Sequence, residues 1–233
     1  MAADKKKALL VITSHSELGN TGRKTGFYYE ELATPYWKFI DAGYDVDIAS
    51  IKGGKAPADP GSIKSTEEQP ESVKRFLGDI MSVNKVNTSL SISFIDPAAY
   101  SVIFLSGGHG TMWDFAQSKA LAHLISRSYE YGAIISSVCH GAAGLLNAKT
   151  ADGHPLVEHK RINSFTASEE IAVGLDQIVP FILETEFKRL GAKYECTENF
   201  KPFVVTDGRL VTGQNPASSA LVADAVIQVA KAF

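Results

Sequence analysis

The feature that most constrains the fold is the alternation of apolar, β-branched runs with segments of helical periodicity along the chain. Apolar runs predict buried strands at residues 7–13, 44–50, 101–105 and 133–138. Helical patterns follow them at residues 29–42, 72–81, 118–131 and 176–190, and from residue 216 onward. This alternation predicts an α/β fold with a mostly parallel central sheet and helices on both faces.

Turn residues complete the predicted layout. Residues 52–70 are rich in Gly, Pro, Lys and Ser and predict a surface loop. Asp207-Gly208 separates two apolar runs, which predicts a hairpin within residues 203–212. Asn215-Pro216 predicts an N-cap and the first turn of the last helix. Ligands bind beyond the carboxyl ends of the strands in such sheets, and the predicted strand ends lie just before residues 107–110 and 139.

Cys139 is the strongest candidate for a nucleophile. It follows a predicted strand and precedes the small residues of His140-Gly-Ala-Ala-Gly144, which allow a sharp strand-to-helix turn of the kind that carries nucleophiles in α/β hydrolases. Free N–H groups at the start of a helix would point at the sulfur, which predicts a thiol pKa below the usual value of about 8.5. His140 is a candidate base. The alternative is a buried structural cysteine, the usual state of a free thiol.

Composition indicates an ordinary globular enzyme. The chain has 233 residues, a net charge of −3 and 45% hydrophobic residues, which predicts a single domain over residues 1–233. Its longest basic block is Lys5-Lys6-Lys7, so we expect no nucleic-acid partner, and no apolar run reaches the length of a membrane span. The two cysteines, Cys139 and Cys196, lack metal-type spacing and indicate a reducing compartment, here the cytoplasm.

Five motifs in order resemble the ThiJ/PfpI superfamily, which shares the class I glutamine amidotransferase-like fold. They are Thr25-Gly26 followed by Glu31 and Pro35, Gly107-Gly-His-Gly-Thr111, Val138-Cys-His-Gly141, Phe165-Thr-Ala-Ser-Glu-Glu170 and Asp207-Gly-Arg-Leu-Val-Thr-Gly-Gln-Asn-Pro216. Their order is similar to that of the glyoxalase III and heat-shock-chaperone branch. The resemblance implies a flavodoxin-like sandwich and, commonly, a homodimer.

The resemblance also implies roles for individual residues. The nucleophile of the family matches Cys139, and its histidine partner matches His140. The third member of the triad matches Glu170, and the active-site carboxylate of the first helix matches Glu31. A carboxylate on the far ring nitrogen would fix the tautomer of the histidine, while a carboxyl buried beside the thiol would have a raised pKa.

Each of these two carboxylates has an acidic neighbour, Glu30 or Glu169, so a register error of one residue stays open. We expect both neighbours on solvated helix faces. The candidates for oxyanion and substrate binding are Gly107, Gly108 and His109. The amides of Gly108 and His140 are expected to form an oxyanion hole, and the alternative for the glycines is a tight turn without a catalytic role.

The activity implied by the resemblance is a glutathione-independent glyoxalase, which converts methylglyoxal, a small 2-oxoaldehyde, to lactate. This activity is classed as a lactate dehydratase, a carbon–oxygen lyase, and implies no metal or organic cofactor. No His-x-Glu motif follows Cys139, which argues against glutamine hydrolysis. Two other classes stay open: a stress-related chaperone or holdase for unfolded protein clients, and a cysteine hydrolase or deglycase with the same triad.

Overall fold

Strands and helices alternate in the computed structural model, which describes residues 6–65 and 67–232, so that Lys5 of the basic block lies outside the described residues. The strands are β1 (Lys7–Ile12), β2 (Asp45–Ser50), β3 (Leu90–Ser91), β4 (Val102–Leu105), β5 (Ile134–Val138), β6 (Arg161–Ile162), β7 (Lys193–Tyr194), β8 (Val204–Asp207) and β9 (Leu210–Gly213). The helices are α1 (Tyr29–Asp41), α2 (Glu71–Gly78), α3 (Ile80–Asn87), α4 (Thr111–Asp114), α5 (Lys119–Glu130), α6 (Ala167–Ala172), α7 (Leu183–Arg189) and α8 (Ser219–Ala232). Within these described ranges, none of the helices has both the length and the apolar character that crossing a membrane requires.

Seven strands form the central sheet, in the order β3-β2-β1-β4-β5-β9-β8. The neighbouring strands pair in parallel along the sheet from β3 through β2, β1, β4 and β5 to β9. Strand β8 forms the edge as the antiparallel partner of β9 in the predicted hairpin. The chain proceeds from β1 outward to β3 and then returns to the other side of β1 as β4. This reversal in strand order lies at the carboxyl ends of β1 and β4, where sheets of this type bind ligands.

The sheet is covered by helices on both faces. Side chains alternate along β1, so that Leu10 packs into one apolar cluster with residues of α1, α2 and α8, while Leu9 packs into a second cluster with residues of α5 and α7. Both leucines are fully buried, and burial of such a side chain contributes about 1.5–3 kcal/mol to folding. The predicted fold class, a mostly parallel sheet with helices on both faces, is confirmed.

Two of the predicted helices have different bounds in the structure. The segment 72–81 divides into α2 and α3 at Asp79, whose side chain accepts a hydrogen bond from the Ser82 amide at 2.8 Å and caps α3. Helix α7 begins at Leu183 rather than at residue 176. The amide of Val179 closes a short turn onto the carbonyl of Leu175, and Pro180 then has no N–H group with which to continue a helix.

Candidate active site

Cys139 lies on a sharp turn at the carboxyl end of β5. Its backbone has a φ of +58°, a left-handed conformation that is strained for a residue other than glycine, and its side chain is only 3% exposed. A Cβ on Gly141 would collide with the carbonyl oxygen of Leu105, so glycine is needed where the turn packs against β4. The turn continues as a 3₁₀-helix, Cys139–Leu145, instead of the predicted α-helix.

A chain of hydrogen bonds connects the thiol to a carboxylate. The sulfur of Cys139 lies 3.1 Å from Nδ1 of His140, and Nε2 of His140 lies 2.7 Å from Oε2 of Glu170 in the first turn of α6. Because Glu170 accepts the proton of Nε2, the neutral imidazole directs the lone pair of Nδ1 at the thiol. The structure therefore brings together the three side chains for which the sequence predicts the roles of nucleophile, base and orienting carboxylate.

Glu31, in the first turn of α1, places its carboxyl group beside the thiol. The side chain is fully buried, and a Cβ on Gly107 would collide with its Oε2. Neither carboxyl oxygen meets the distance and angle criteria for a hydrogen bond to a described residue. The Cys139 thiol and the Gly107 amide nevertheless lie close enough to favour the ionised form of Glu31. Burial outweighs both contacts and raises the pKa of Glu31 well above 4.5, which favours the protonated carboxyl.

The predicted lowering of the thiol pKa is wrong. Burial, followed by the negative charge of Glu31, raises the pKa of Cys139 well above 9.0. The backbone amide of His140 favours the thiolate but is outweighed. Because burial raises the pKa of both groups, the Cys139 thiol and the Glu31 carboxyl each favour the protonated, neutral form. Attack by the sulfur therefore requires a base that removes the thiol proton during the reaction.

His140 and Glu170 are arranged to provide that base. Burial, followed by the adjacent His109, lowers the pKa of His140 below 6.5, which keeps the imidazole neutral at neutral pH. Burial alone would raise the pKa of Glu170, but the two imidazoles outweigh it and hold that pKa below 4.5. A neutral imidazole held by an ionised carboxylate is the arrangement that general-base catalysis requires.

His109 contacts the same carboxylate, a connection that sequence analysis did not find. Its Nε2 lies 2.8 Å from Oε1 of Glu170, which is 61 positions away in the chain, and its ring centroid lies 4.0 Å from that of His140. The ligand-type atoms of these three side chains all lie within 4.8 Å of one another, so they could hold a metal ion. Glu170 thus orients two imidazoles.

The glycines after β4 have separate roles in the structure. Gly107 packs against Glu31, whereas Gly108 lines the cavity above Cys139 with a φ of +106°, and its amide donates no hydrogen bond to a described residue. The amide of His140 interacts with the sulfur of Cys139. The oxyanion hole that the sequence predicts from the N–H groups of Gly108 and His140 stays a prediction.

Glu169 does not lie on a solvated helix face, contrary to expectation. It is 0% exposed and accepts five hydrogen bonds, from two groups of Thr166, from the Phe200 amide and from the side chains of Gln214 and Asn215. Thr166 and Glu169 form a capping box, whose Thr-x-x-Glu spacing is visible in the sequence and could have indicated that Glu169 binds the backbone of the N-cap.

Glu30 is the neighbour that does retain contact with solvent. Its side chain is partly exposed. Burial raises the pKa of Glu30, and the positive charge of Lys64 opposes this rise. Glu31, not Glu30, lines the cavity, and Glu170, not Glu169, contacts His140. At both motifs, the glutamate that the sequence selects is the one beside the thiol or His140, and its catalytic role stays a prediction.

A cavity of about 670 Å³ opens over the thiol. Its wall is largely apolar, and burial raises the pKa of the wall residue Tyr28 to about 12. The lining residues beyond the groups already described are Leu18, Arg23, Lys24, Asp59, Pro60, Gly61, Phe165, Val173, Leu175, Phe200 and Pro216. Cys139, His140, Glu31 and His109 all reach this one space, which makes it the candidate active site.

Comparisons with known proteins agree with this fold. The chain is 34% identical to the glutathione-independent glyoxalase HSP31 of Saccharomyces cerevisiae, over 92% of this chain and 93% of that protein. The fold is similar to that of Rapid Encystment Protein 24 KDa of Francisella tularensis, with a TM-score of 0.92, 36% identity and coverage of 96% and 98% of the two chains. It is also similar to that of glyoxalase III from Candida albicans, with a TM-score of 0.89, 32% identity and coverage of 96% and 97%. A model of the DJ-1/PfpI family matches residues 24–229, which confirms the predicted resemblance, and the chain therefore belongs to the DJ-1/PfpI family.

Proposed function

We propose that this protein is a glutathione-independent glyoxalase, which converts methylglyoxal to lactate with Cys139 as its nucleophile. The observation that carries this proposal is the hydrogen-bonded series Cys139–His140–Glu170 beside the buried carboxyl of Glu31 at one cavity. Two similar proteins that align over nearly the whole chain are named as glyoxalases, which supports the same activity here.

The first step forms a hemithioacetal. The sulfur of Cys139 attacks the aldehyde carbon, and Nδ1 of His140, 3.1 Å from the sulfur, accepts the thiol proton. The carbonyl oxygen accepts hydrogen bonds from the amides of Gly108 and His140 as negative charge develops on it. His140 then returns the proton to this oxygen, and Glu31 holds the resulting hydroxyl group.

The second step moves hydrogen within the bound substrate. Neutral His140 removes the proton from the former aldehyde carbon and delivers it to the adjacent ketone oxygen, which gives an enediol. Loss of the proton from the first hydroxyl and protonation of the second carbon then give a lactyl thioester on Cys139. Water cleaves the carbon–sulfur bond, which releases lactate and restores the thiol. The sum is methylglyoxal plus water to lactic acid, without an external oxidant.

The size of the cavity also bears on the substrate. A volume of about 670 Å³ lies in the range that holds drug-sized ligands, far above what a three-carbon molecule fills. The apolar wall formed by Leu18, Phe165 and Leu175 would favour a larger apolar group on the ketone carbon. Phenylglyoxal is therefore expected to be a substrate, with mandelate as its product.

The test is product analysis in the absence of glutathione. Wild-type protein should form lactate from methylglyoxal, and Cys139→Ala should form none, because no other group at the cavity can make the thioester. Cys196→Ala is the matched control, since that cysteine is exposed and lies outside the cavity, and it should retain wild-type turnover. Absence of lactate with the wild type, or lactate formation by Cys139→Ala at the wild-type rate, would contradict the proposal.

A further inference from the structure

Two imidazoles and a carboxylate converge at one wall of the cavity in a pattern that acid–base chemistry alone does not require. Nε2 of His109 and Nε2 of His140 each contact one oxygen of Glu170, at 2.8 Å and 2.7 Å. The triad needs one of these contacts. The second imidazole turns the carboxylate into the centre of a two-histidine, one-carboxylate cluster, a donor set that binds zinc and other borderline divalent ions.

We propose that His109, His140 and Glu170 form a binding site for Zn²⁺ and that the bound ion reversibly inactivates the enzyme. The ligand-type atoms of the cluster lie within 4.8 Å of one another. Tetrahedral Zn²⁺ with bonds of about 2.0–2.2 Å places its ligand atoms about 3.3 Å apart, so side-chain movements of under about 1.5 Å would complete the site. Water from the cavity would fill the remaining position.

The electrostatic surroundings favour a cation at this cluster. Glu169 and Glu170 are consecutive buried carboxylates. Among the described residues, no Lys or Arg forms an ion pair with either of these side chains, and the hydrogen bonds of the Glu170 carboxylate come from the two imidazoles. A divalent ion would supply the positive charge that this buried acidic group lacks.

The ion has a route to the cluster. The side chain of His109 is 17% exposed, and both His109 and His140 line the open cavity. Glu170 lies behind them, 5% exposed, so the ion would meet the imidazoles first. Entry therefore needs no opening of the fold, and exchange with solvent would be reversible.

Coordination would remove the base from the proposed reaction. Zn²⁺ on Nε2 of His140 would displace the proton from that nitrogen, and the neutral ring would carry its proton on Nδ1. Nδ1 would then donate to the sulfur of Cys139, 3.1 Å away, and could accept no proton from thiol or substrate. This consequence depends on the proposed function, whereas the binding of Zn²⁺ does not.

The experiment separates binding from activity by measuring Zn²⁺ binding calorimetrically in Cys139→Ala. This variant should bind one equivalent with wild-type affinity, because sulfur is not among the ligands. Adding His109→Gln should weaken binding at least about 100-fold, since loss of an outer partner of a metal ligand alone costs about 10–100-fold. The control is His154→Gln with His159→Gln, which removes the exposed histidines beside Glu158 and should leave the affinity unchanged.

A second measurement needs no variant of the cluster. Co²⁺ bound to Cys139→Ala should shift the ring N–H protons of two histidines in the NMR spectrum, and Co²⁺ bound to the wild type should show no sulfur-to-cobalt charge-transfer band. With wild-type enzyme, Zn²⁺ should abolish turnover and a chelator should restore it. Loss of binding in Cys139→Ala, unchanged binding after His109→Gln, or weaker binding in the surface control would each overturn the proposal.

Discussion

Two helices of this protein carry consecutive glutamates in their first turn, and the two pairs differ in the hydrogen-bond donors around their carboxyl groups. Glu30 and Glu31 lie in the first turn of α1, and Glu169 and Glu170 lie in the first turn of α6. Three of the four side chains are buried, so burial alone does not distinguish them. The donors around each carboxyl group do.

The pair on α6 is fully provided with donors. Glu169 accepts five hydrogen bonds from backbone and side-chain groups, and Glu170 accepts one from each of two imidazoles. Both carboxylates act only as acceptors, as ionised carboxylates do. On α1, Glu31 lacks such donors: its side chain is fully buried, and neither of its oxygens meets the criteria for a hydrogen bond to a described residue.

This contrast assigns the two helices different chemistry. A buried carboxyl group without donors keeps its proton and can donate a hydrogen bond to substrate, while a carboxylate held by two imidazoles stays ionised and orients a base. Environments that push the pKa values of two carboxyl groups apart provide an acid and a base at one site. The four glutamates therefore offer direct tests of the comparison.

Among the four glutamates, replacement of Glu31 by glutamine (Glu31→Gln) should have the largest effect on catalysis. Glutamine preserves the size of the side chain but lacks the acidic O–H group with which Glu31 holds the substrate hydroxyl, so we expect kcat on methylglyoxal to fall by about 10²–10³-fold, the usual cost of losing one positioned hydrogen-bond donor. Steady-state kinetics on protein with a wild-type circular dichroism spectrum would measure it. The control is Glu30→Gln, which should stay near wild type because Glu30 is partly exposed and lies outside the cavity lining. Equal losses in both variants would remove the distinction within α1.

Glu169→Gln should destabilise the fold. The amide group would place two N–H donors against the backbone and side-chain donors that now bind the carboxylate, which leaves buried polar groups unsatisfied. We expect the free energy of unfolding to fall by about 2–4 kcal/mol, measured by urea denaturation. Glu198→Gln changes an exposed glutamate of the adjacent loop and should leave stability within about 0.5 kcal/mol of wild type. An unchanged midpoint for Glu169→Gln would show that the five hydrogen bonds contribute little.

The sequence predicts the carboxyl ends of β4 and β5 to the residue, because each apolar run ends abruptly, at Leu105 before Ser106-Gly107 and at Val138 before Cys139. These two ends place the nucleophile and the glycine turn at the same edge of the sheet, so most of the site follows from local patterns. The division of α2 from α3 was missed, because the apolar periodicity continues past Asp79 while its side chain starts a new helix.

Other features depend on contacts between distant segments and could not be predicted from one sequence. The contact of His109 with Glu170 joins residues 61 positions apart. The raised pKa of Cys139 arises because its turn is covered by other segments and faces Glu31 from α1. The local N–H groups at the turn favour the thiolate, but burial and Glu31 outweigh them, so a prediction from those groups alone has the wrong sign.

Glu170→Gln should reduce turnover less than Glu31→Gln does. The amide oxygen can still accept from Nε2 of His140, but the amide N–H₂ group then faces His109, and the variant cannot stabilise an imidazolium ion. We expect a partial loss of kcat, smaller than that of Glu31→Gln, with little change in KM, measured by the same assay. A loss as large as that of Cys139→Ala would mean that ionisation of Glu170, rather than its acceptor oxygen, is essential.

The pH dependence of stability should also distinguish Glu31→Gln from wild type. The pKa of Glu31 is raised in the folded protein above its ordinary value of 4.5, so between these two values the unfolded chain loses a proton that the folded protein keeps. Unfolding then releases a proton, and wild-type stability should fall as pH rises above 4.5, by at most about 1.4 kcal/mol per pH unit from this group. Glutamine does not titrate, so the stability of Glu31→Gln relative to wild type should increase over the same range. Urea denaturation of both proteins at several pH values between 4.5 and 7 would measure the difference. Parallel profiles would mean that Glu31 ionises as easily in the folded protein as in the unfolded chain, and the contrast between α1 and α6 would then be lost.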